Sequence, residues 1–156
     1  MADTKTKATS KRTNSDNVFS EEERAAVAAT ARERSASSKR SPEEERAAGL
    51  QDLRDSLAKM PADDRAMGER IHEVVSAAVP ELMPKTYYGM PAYAKDGRTI
   101  AFYKAKSKFK VRYATFGFQP DATLDDGDMW ATEFAVIELT PKVEARIADL
   151  VKKAAG

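Results

Sequence analysis

The side chains best able to do chemistry fall into a few local groups. Lys108, Lys110 and Arg112 alternate with Phe109, Val111 and Tyr113. In a strand, that alternation sets cations on one face and apolar groups on the other. Lys104 and Lys106 add charge at the adjoining turn, and over 95–112 these five, with Lys95 and Arg98, stand against Asp96 alone. Basic side chains beside aromatic rings can neutralise phosphates and stack on bases. The same pattern also suits an outer sheet face whose lysines block edge-to-edge pairing. Across the chain 26 Lys+Arg meet 25 Asp+Glu, so any affinity for anions must be local.

A second group is acidic. Asp121, Asp125, Asp126 and Asp128 crowd one loop, with Glu133 nearby. Carboxylate oxygens of this kind suit hard cations such as Ca²⁺, Mg²⁺ or iron. The run Asp125-Asp126-Gly127-Asp128 lacks the alternating ligands and closing Glu of an EF-hand, and Asp and Gly are also ordinary turn formers. Asp63 and Asp64 pair in a helical first turn, where they complement the helix dipole. His72 precedes Glu73, but Ser76 stands where a zinc-protease helix needs its second His. His72 is expected to be half-buried and satisfied.

Tyr87, Tyr88, Met90, Tyr93 and Trp130 form a third group, of which Tyr88, Met90, Tyr93 and Trp130 are candidates for a ligand pocket. Gly89-Met90-Pro91 inside a strand predicts a bulge or kink that could open such a pocket between sheet and helix. The chain has no Cys and a single His, which excludes disulfides, thiolate or multi-histidine metal centres and a cysteine nucleophile. No glycine-rich phosphate loop or nucleophile elbow is present, so the expectation is a protein that is not an enzyme.

The elements that must position these groups are legible from caps and periods. Residues 1–17 hold Lys5, Lys7, Lys11 and Arg12 among polar residues and are expected to form a disordered basic tail. Ser20 and Glu23 make a capping box for an alanine-rich helix reaching about residue 34. With a polar linker it fills an accessory region over 18–40. Ser41-Pro42-Glu43-Glu44 starts a second helix, with Leu50, Leu53 and Leu57 as its stripe. After Pro61 a third helix presents Met67, Ile71, Val74, Val75 and Ala78. Strands are expected over 85–94, 98–104, 108–118 and 131–139, with a hairpin turn at Lys95-Asp96-Gly97-Arg98. Thr140-Pro141 opens the last helix, whose Val143, Ile147, Leu150, Val151 and Ala154 repeat the spacing of the third. The pattern predicts one α+β domain over 41–156, a two-layer sandwich with an antiparallel sheet of about four to five strands and helices on one face. No apolar run approaches a membrane span and the N-terminus is too polar for a signal peptide, so a cytoplasmic monomer without membrane contact is expected.

Tyr88-Gly89-Met90-Pro91-Ala92-Tyr93 resembles the signature of the YdhG-like domain family of small bacterial proteins. The likeness extends to Lys108-Phe109-Lys110-Val111-Arg112-Tyr113-Ala114-Thr115, to Leu124-Asp125-Asp126-Gly127 with Met129-Trp130, and to Leu150-Val151-Lys152-Lys153-Ala154. It covers about residues 53–154, and Phe19-Ser20-Glu21-Glu22-Glu23-Arg24 is similar to an extension in an actinobacterial-type branch. The resemblance implies a frataxin-like sandwich, and one branch of the family is regarded as an intracellular iron chaperone that uses surface carboxylates. It thus implies weak, surface-bound iron, for which Asp63, Asp64, Asp125, Asp126 and Asp128 are the candidate ligands, with Glu69 and Glu73 beside the first pair. No defined ligand set of the family maps onto this chain residue by residue, and cations occupy the strand region where iron handling would favour acid. Two functions therefore remain open besides iron delivery. One is a module that binds nucleic acid or an acidic partner protein through Lys104, Lys106, Lys108, Lys110 and Arg112. The other is a small-ligand domain built around the aromatic group.

Overall fold

The computed structural model describes residues 21–37 and 40–156. The expected tail at 1–17 and the Ser20 cap lie outside the described residues. The first helix, α1 (Glu21–Ser37), has three glutamates in its first turn and an alanine-rich body, and its Val27 remains exposed. Helix α2 (Pro42–Ala58) starts as its residues dictate. Ser41 is the cap, its hydroxyl accepting from the Glu44 amide at 3.2 Å, and Pro42 occupies the first turn, where its missing N–H costs nothing. Helix α3 (Ala62–Ala78) follows the break at Pro61, and α4 (Pro141–Ala155) is capped by Thr140 Oγ1 on the Val143 amide.

Five strands form one antiparallel meander in the order β1 (Met83–Tyr87), β2 (Met90–Lys95), β3 (Arg98–Lys104), β4 (Ala114–Phe118) and β5 (Glu133–Val136). The α+β sandwich expected from the sequence is therefore what forms, with α2, α3 and α4 packed on the sheet. Leu53 and Leu57 of α2, Ile71 and Val75 of α3, and Ile147 and Val151 of α4 share one core with Tyr93, Ala101, Tyr103, Phe116 and Phe118 of the sheet. These sheet residues alternate along their strands, as side chains on a single face must. Two glycines permit the close fit. A Cβ on Gly49 would run into the Pro84 carbonyl of β1, and one on Gly68 would run into Leu57 Cδ2 and sit 2.8 Å from Tyr103 Cε1. On the opposite face Met90, Ala92 and Phe102 make a smaller apolar cluster with Tyr87, the Phe102 ring lying over Gly117.

Three strand expectations need correction. The segment 85–94 is two strands. Tyr88 and Gly89 have φ of +49° and +76°, the pair of left-handed residues of a two-residue type I′ hairpin, so the glycine makes a reversal where a kink was expected. Asp96 and Gly97 repeat this at +52° and +76° in the turn that was anticipated. Pro91 lies before the part of β2 in register with β3, so its absent N–H interrupts no bond to that strand.

The expected strand 108–118 is a strand only from Ala114. Residues 105–113 fold on themselves instead, through amide-to-carbonyl bonds from Lys108 to Ala105, Lys110 to Ser107 and Val111 to Lys106, and Lys110 has φ +52°. The basic and apolar side chains of 108–113 therefore do not divide between two sheet faces. Strand β5 is correspondingly short, covering four residues of the expected 131–139. Val136 already pairs with Ala114, the first residue of β4, and beyond it there is no partner to pair with.

Candidate functional site

Because β3 and β4 are antiparallel, the loops on either side of β4 leave opposite ends of the sheet. One end gathers the Tyr88-Gly89 turn, the 105–113 loop and the start of α3. Its parts are tied together by Lys108 Nζ donating to the Tyr88 carbonyl at 2.6 Å and by the Ser107 amide donating to Asp64 Oδ2 at 3.3 Å. The other end gathers the Asp96-Gly97 turn, the 119–132 loop and the end of α4. Arg98 Nη1 to Asp121 Oδ1 at 3.2 Å and the Thr123 amide to the Ala154 carbonyl at 2.9 Å join these.

The first end carries every residue of the proposed basic patch: Lys104 closes β3, and the other four lie in the loop that follows and not on a sheet face. Lys104 Nζ sits 5.3 Å from the centroid of the Phe109 ring, and the Arg112 guanidinium 5.2 Å from that of Tyr113. Lys106 and Arg112 line a groove of about 460 Å³ shared with Asp63, Met67, Tyr113 and Leu139. Lys110 stands at the left-handed residue of the loop. Among the described residues none of these five cations forms an ion pair with a carboxylate. Burial pulls the Lys108 ammonium below its ordinary range, consistent with its seat against the Tyr88 carbonyl.

Interleaved with these charges are exposed apolar side chains: Phe109 at 56%, Val111 at 45% and Tyr88 at 40%. Sequence reasoning missed this exposure, because a strand would have turned Phe109 and Val111 inward. The signal that a loop forms is tertiary. The Asp64 carboxylate, on another element, captures the Ser107 amide.

The acidic candidates do not assemble. Asp64 is 4% exposed, and its carboxylate holds the loop while its carbonyl accepts from the Tyr103 hydroxyl at 2.8 Å. It is a structural anchor, not a surface ligand. Asp63 is exposed at the start of α3, whereas Asp125, Asp126 and Asp128 are exposed on the 119–132 loop at the far end. Among the described residues no three His, Asp or Glu side chains come close enough together to hold a metal ion.

The aromatic candidates are likewise dispersed. Tyr88 is in a hairpin turn, Met90 lies on the sheet face away from the helices and Tyr93 is in the core facing them. Trp130 lines a separate pocket of about 440 Å³ with Pro120, Leu124, Asp128 and Met129. The strand alternation that separates Met90 from Tyr93 is enough to dissolve the pocket expected from all four.

His72 is half-buried, as expected. Its Nδ1 shares a hydrogen bond of 3.1 Å with the Tyr93 hydroxyl, and the two rings stack at 5.9 Å. Burial, with Arg54 nearby, lowers the His72 pKa, and burial raises that of Tyr93.

Nearby, Arg70 donates to both oxygens of Glu144, at 2.7 and 2.9 Å, and to Glu73 at 2.6 Å, clamping α3 to α4. The hydrogen bond from Arg70 holds the Glu144 carboxyl below the usual carboxylate range. No helix among the described residues is long and apolar enough to cross a membrane. Comparison with family models, with curated proteins and with solved structures finds no match.

Proposed function

We propose that this chain is a non-enzymatic binding module whose 104–113 segment and Tyr88 turn take up single-stranded nucleic acid. One observation carries the reading. Five cations without carboxylate partners among the described residues stand beside two exposed rings, Phe109 among them in sequence and Tyr88 in the adjoining turn. Unpaired lysine and arginine release counterions when they meet phosphates, and an exposed ring offers a base a stacking surface. A duplex keeps its bases stacked inside, so Phe109 and Tyr88 favour a single strand.

Backbone strain supports the same assignment. A bulky residue in the left-handed region is costly, and it persists where the surroundings over-determine it, often at binding sites. Tyr88 is such a residue, held by Lys108 on its carbonyl and by the edge-on Tyr87 ring at 4.5 Å.

Iron delivery, implied by the YdhG-like resemblance, would draw on Asp63, Asp125, Asp126 and Asp128. These lie at two ends of the sheet, so that reading has less geometric support.

The test is fluorescence anisotropy of a labelled single-stranded oligonucleotide about ten nucleotides long. Lys110→Glu and Arg112→Glu should each weaken binding and flatten its salt dependence. Phe109→Ala should cost about 1–3 kcal/mol, as loss of one stacked base does. A binding curve that these changes leave in place would contradict the proposal. An anaerobic Fe²⁺ titration of the same samples, responding to Asp125→Asn with Asp128→Asn, would favour iron delivery instead.

A further inference from the structure

The end of the sheet opposite the basic loop carries a pocket that the nucleic-acid reading does not use. Its floor is apolar, with Ala122 and Leu124 buried, and its wall is Pro120, Met129 and Trp130. Met129 is 88% exposed and Trp130 40%, although both are large apolar side chains. Adaptable methionine beside tryptophan is typical of surfaces that receive another protein's side chain. Asp128 lines the pocket, and Asp121, Asp125 and Asp126 are on the same loop. Of these four, Asp121 has an ion pair, with Arg98, while Asp125, Asp126 and Asp128 have none among the described residues. The occupant that suits such a pocket is a projecting aromatic side chain flanked by cations.

The chain itself presents that feature once among the described residues. Phe109 projects between Lys108 and Lys110, with Lys106 and Arg112 on either side. It cannot reach the pocket of its own molecule. The five residues of β4 separate the two loops by roughly 17 Å, and local hydrogen bonds with Asp64 pin the 105–113 loop. We propose that the chain associates head to tail with a second copy, the 105–113 loop of one seating Phe109 in the Trp130 pocket of the next. Charge complementarity sets the orientation, since like ends would set five cations against five at one contact or three unpaired carboxylates against three at the other. The contact is heterologous, so it leaves one free end of each kind and extends to a ring or a filament. This inference stands apart from the nucleic-acid reading and can fail without it.

Trp130 is the sole tryptophan, so its fluorescence reports directly on the pocket. Diluting the full-length protein at low salt should shift the Trp130 emission in step with a falling sedimentation coefficient, and high salt should produce the dissociated state at any concentration. Asp126→Lys with Asp128→Lys removes the acidic rim and keeps the tryptophan. Phe109→Ser with Lys110→Glu removes the projecting side chain, and both pairs are exposed positions whose change leaves the core intact. Each variant alone should be monomeric, and an equimolar mixture should form a dimer that does not grow further. A wild-type protein monomeric at every concentration would overturn the proposal. So would variants that associate like wild type, or an equimolar mixture of the two variants that stays monomeric.

Discussion

Tyr88 and His72 are the residues at which local cost and local environment lead to measurable consequences. A left-handed conformation costs a residue with a Cβ about 1–2 kcal/mol, and an edge-on ring pair contributes about 0.5–1.5 kcal/mol. Tyr88→Asn relieves much of the first and loses the second. The two effects offset, so the variant should unfold in urea within about 1 kcal/mol of wild type. Oligonucleotide binding should nevertheless weaken, because the ring is gone.

His72 gives a pH prediction. Its pKa in the folded protein is below the ordinary 6.5, so the unfolded chain binds the extra proton more readily. Stability from the neutral imidazole is complete above pH 6.5 and is lost as pH falls through the lower folded value. Urea unfolding at pH 7.5 and 5.5 should show a loss on acidification that is smaller in His72→Gln. The half-burial of His72 was legible, since it stands one position from the apolar stripe at Ile71. Its Tyr93 partner was not, because that contact joins a helix to a strand that the sequence does not register.

Among the elements, helices were the most legible because their signals are local. Ser41-Pro42 and Thr140-Pro141 mark two starts, and stripes such as Ile71 with Val75 mark the buried faces. Strand limits were less legible, since alternation identifies a strand only when a neighbour exists to pair with it. Lys108 to Tyr113 alternate, yet turn bonds and the Asp64 carboxylate take their backbone elsewhere. The candidate site was thus readable in composition and misread in geometry.

Gly68 is where α3, α2 and the sheet meet, and it separates propensity from packing. Gly68→Ala gains up to about 1 kcal/mol of helix propensity. The added methyl, however, meets Leu57 and a Tyr103 ring fixed by its hydrogen bond to the Asp64 carbonyl. Overpacking of this kind costs about 1–3 kcal/mol, so packing should win and the urea midpoint should fall. An unchanged or higher midpoint would show that the α2–α3 seam is looser than described.

At the scale of the molecule, the fold turns a nearly neutral sequence into a body with two unlike ends. Neither end follows from net charge. The polarity comes from strand order, because an antiparallel meander sends the loops before and after β4 in opposite directions. The sequence announced the sandwich and the acidic loop, but it read the basic segment as a strand, and so did not show that a strand's length lies between two charged loops. If the basic loop serves both nucleic acid and a second copy, the two ligands compete. Single-stranded oligonucleotide should then dissolve head-to-tail oligomers, which sedimentation at fixed protein concentration would detect as a shift to a smaller complex.

Nucleic-acid binding through the basic end is tested most directly by mapping it on the backbone. Isotope-labelled protein is titrated with a single-stranded oligonucleotide at moderate salt, dilute enough to be monomeric, and amide shifts are followed by NMR. Changes should concentrate at 104–113 and at Tyr88-Gly89, with 119–132 unmoved. Changes centred on 119–132, or none at saturating oligonucleotide, would contradict binding through the basic end.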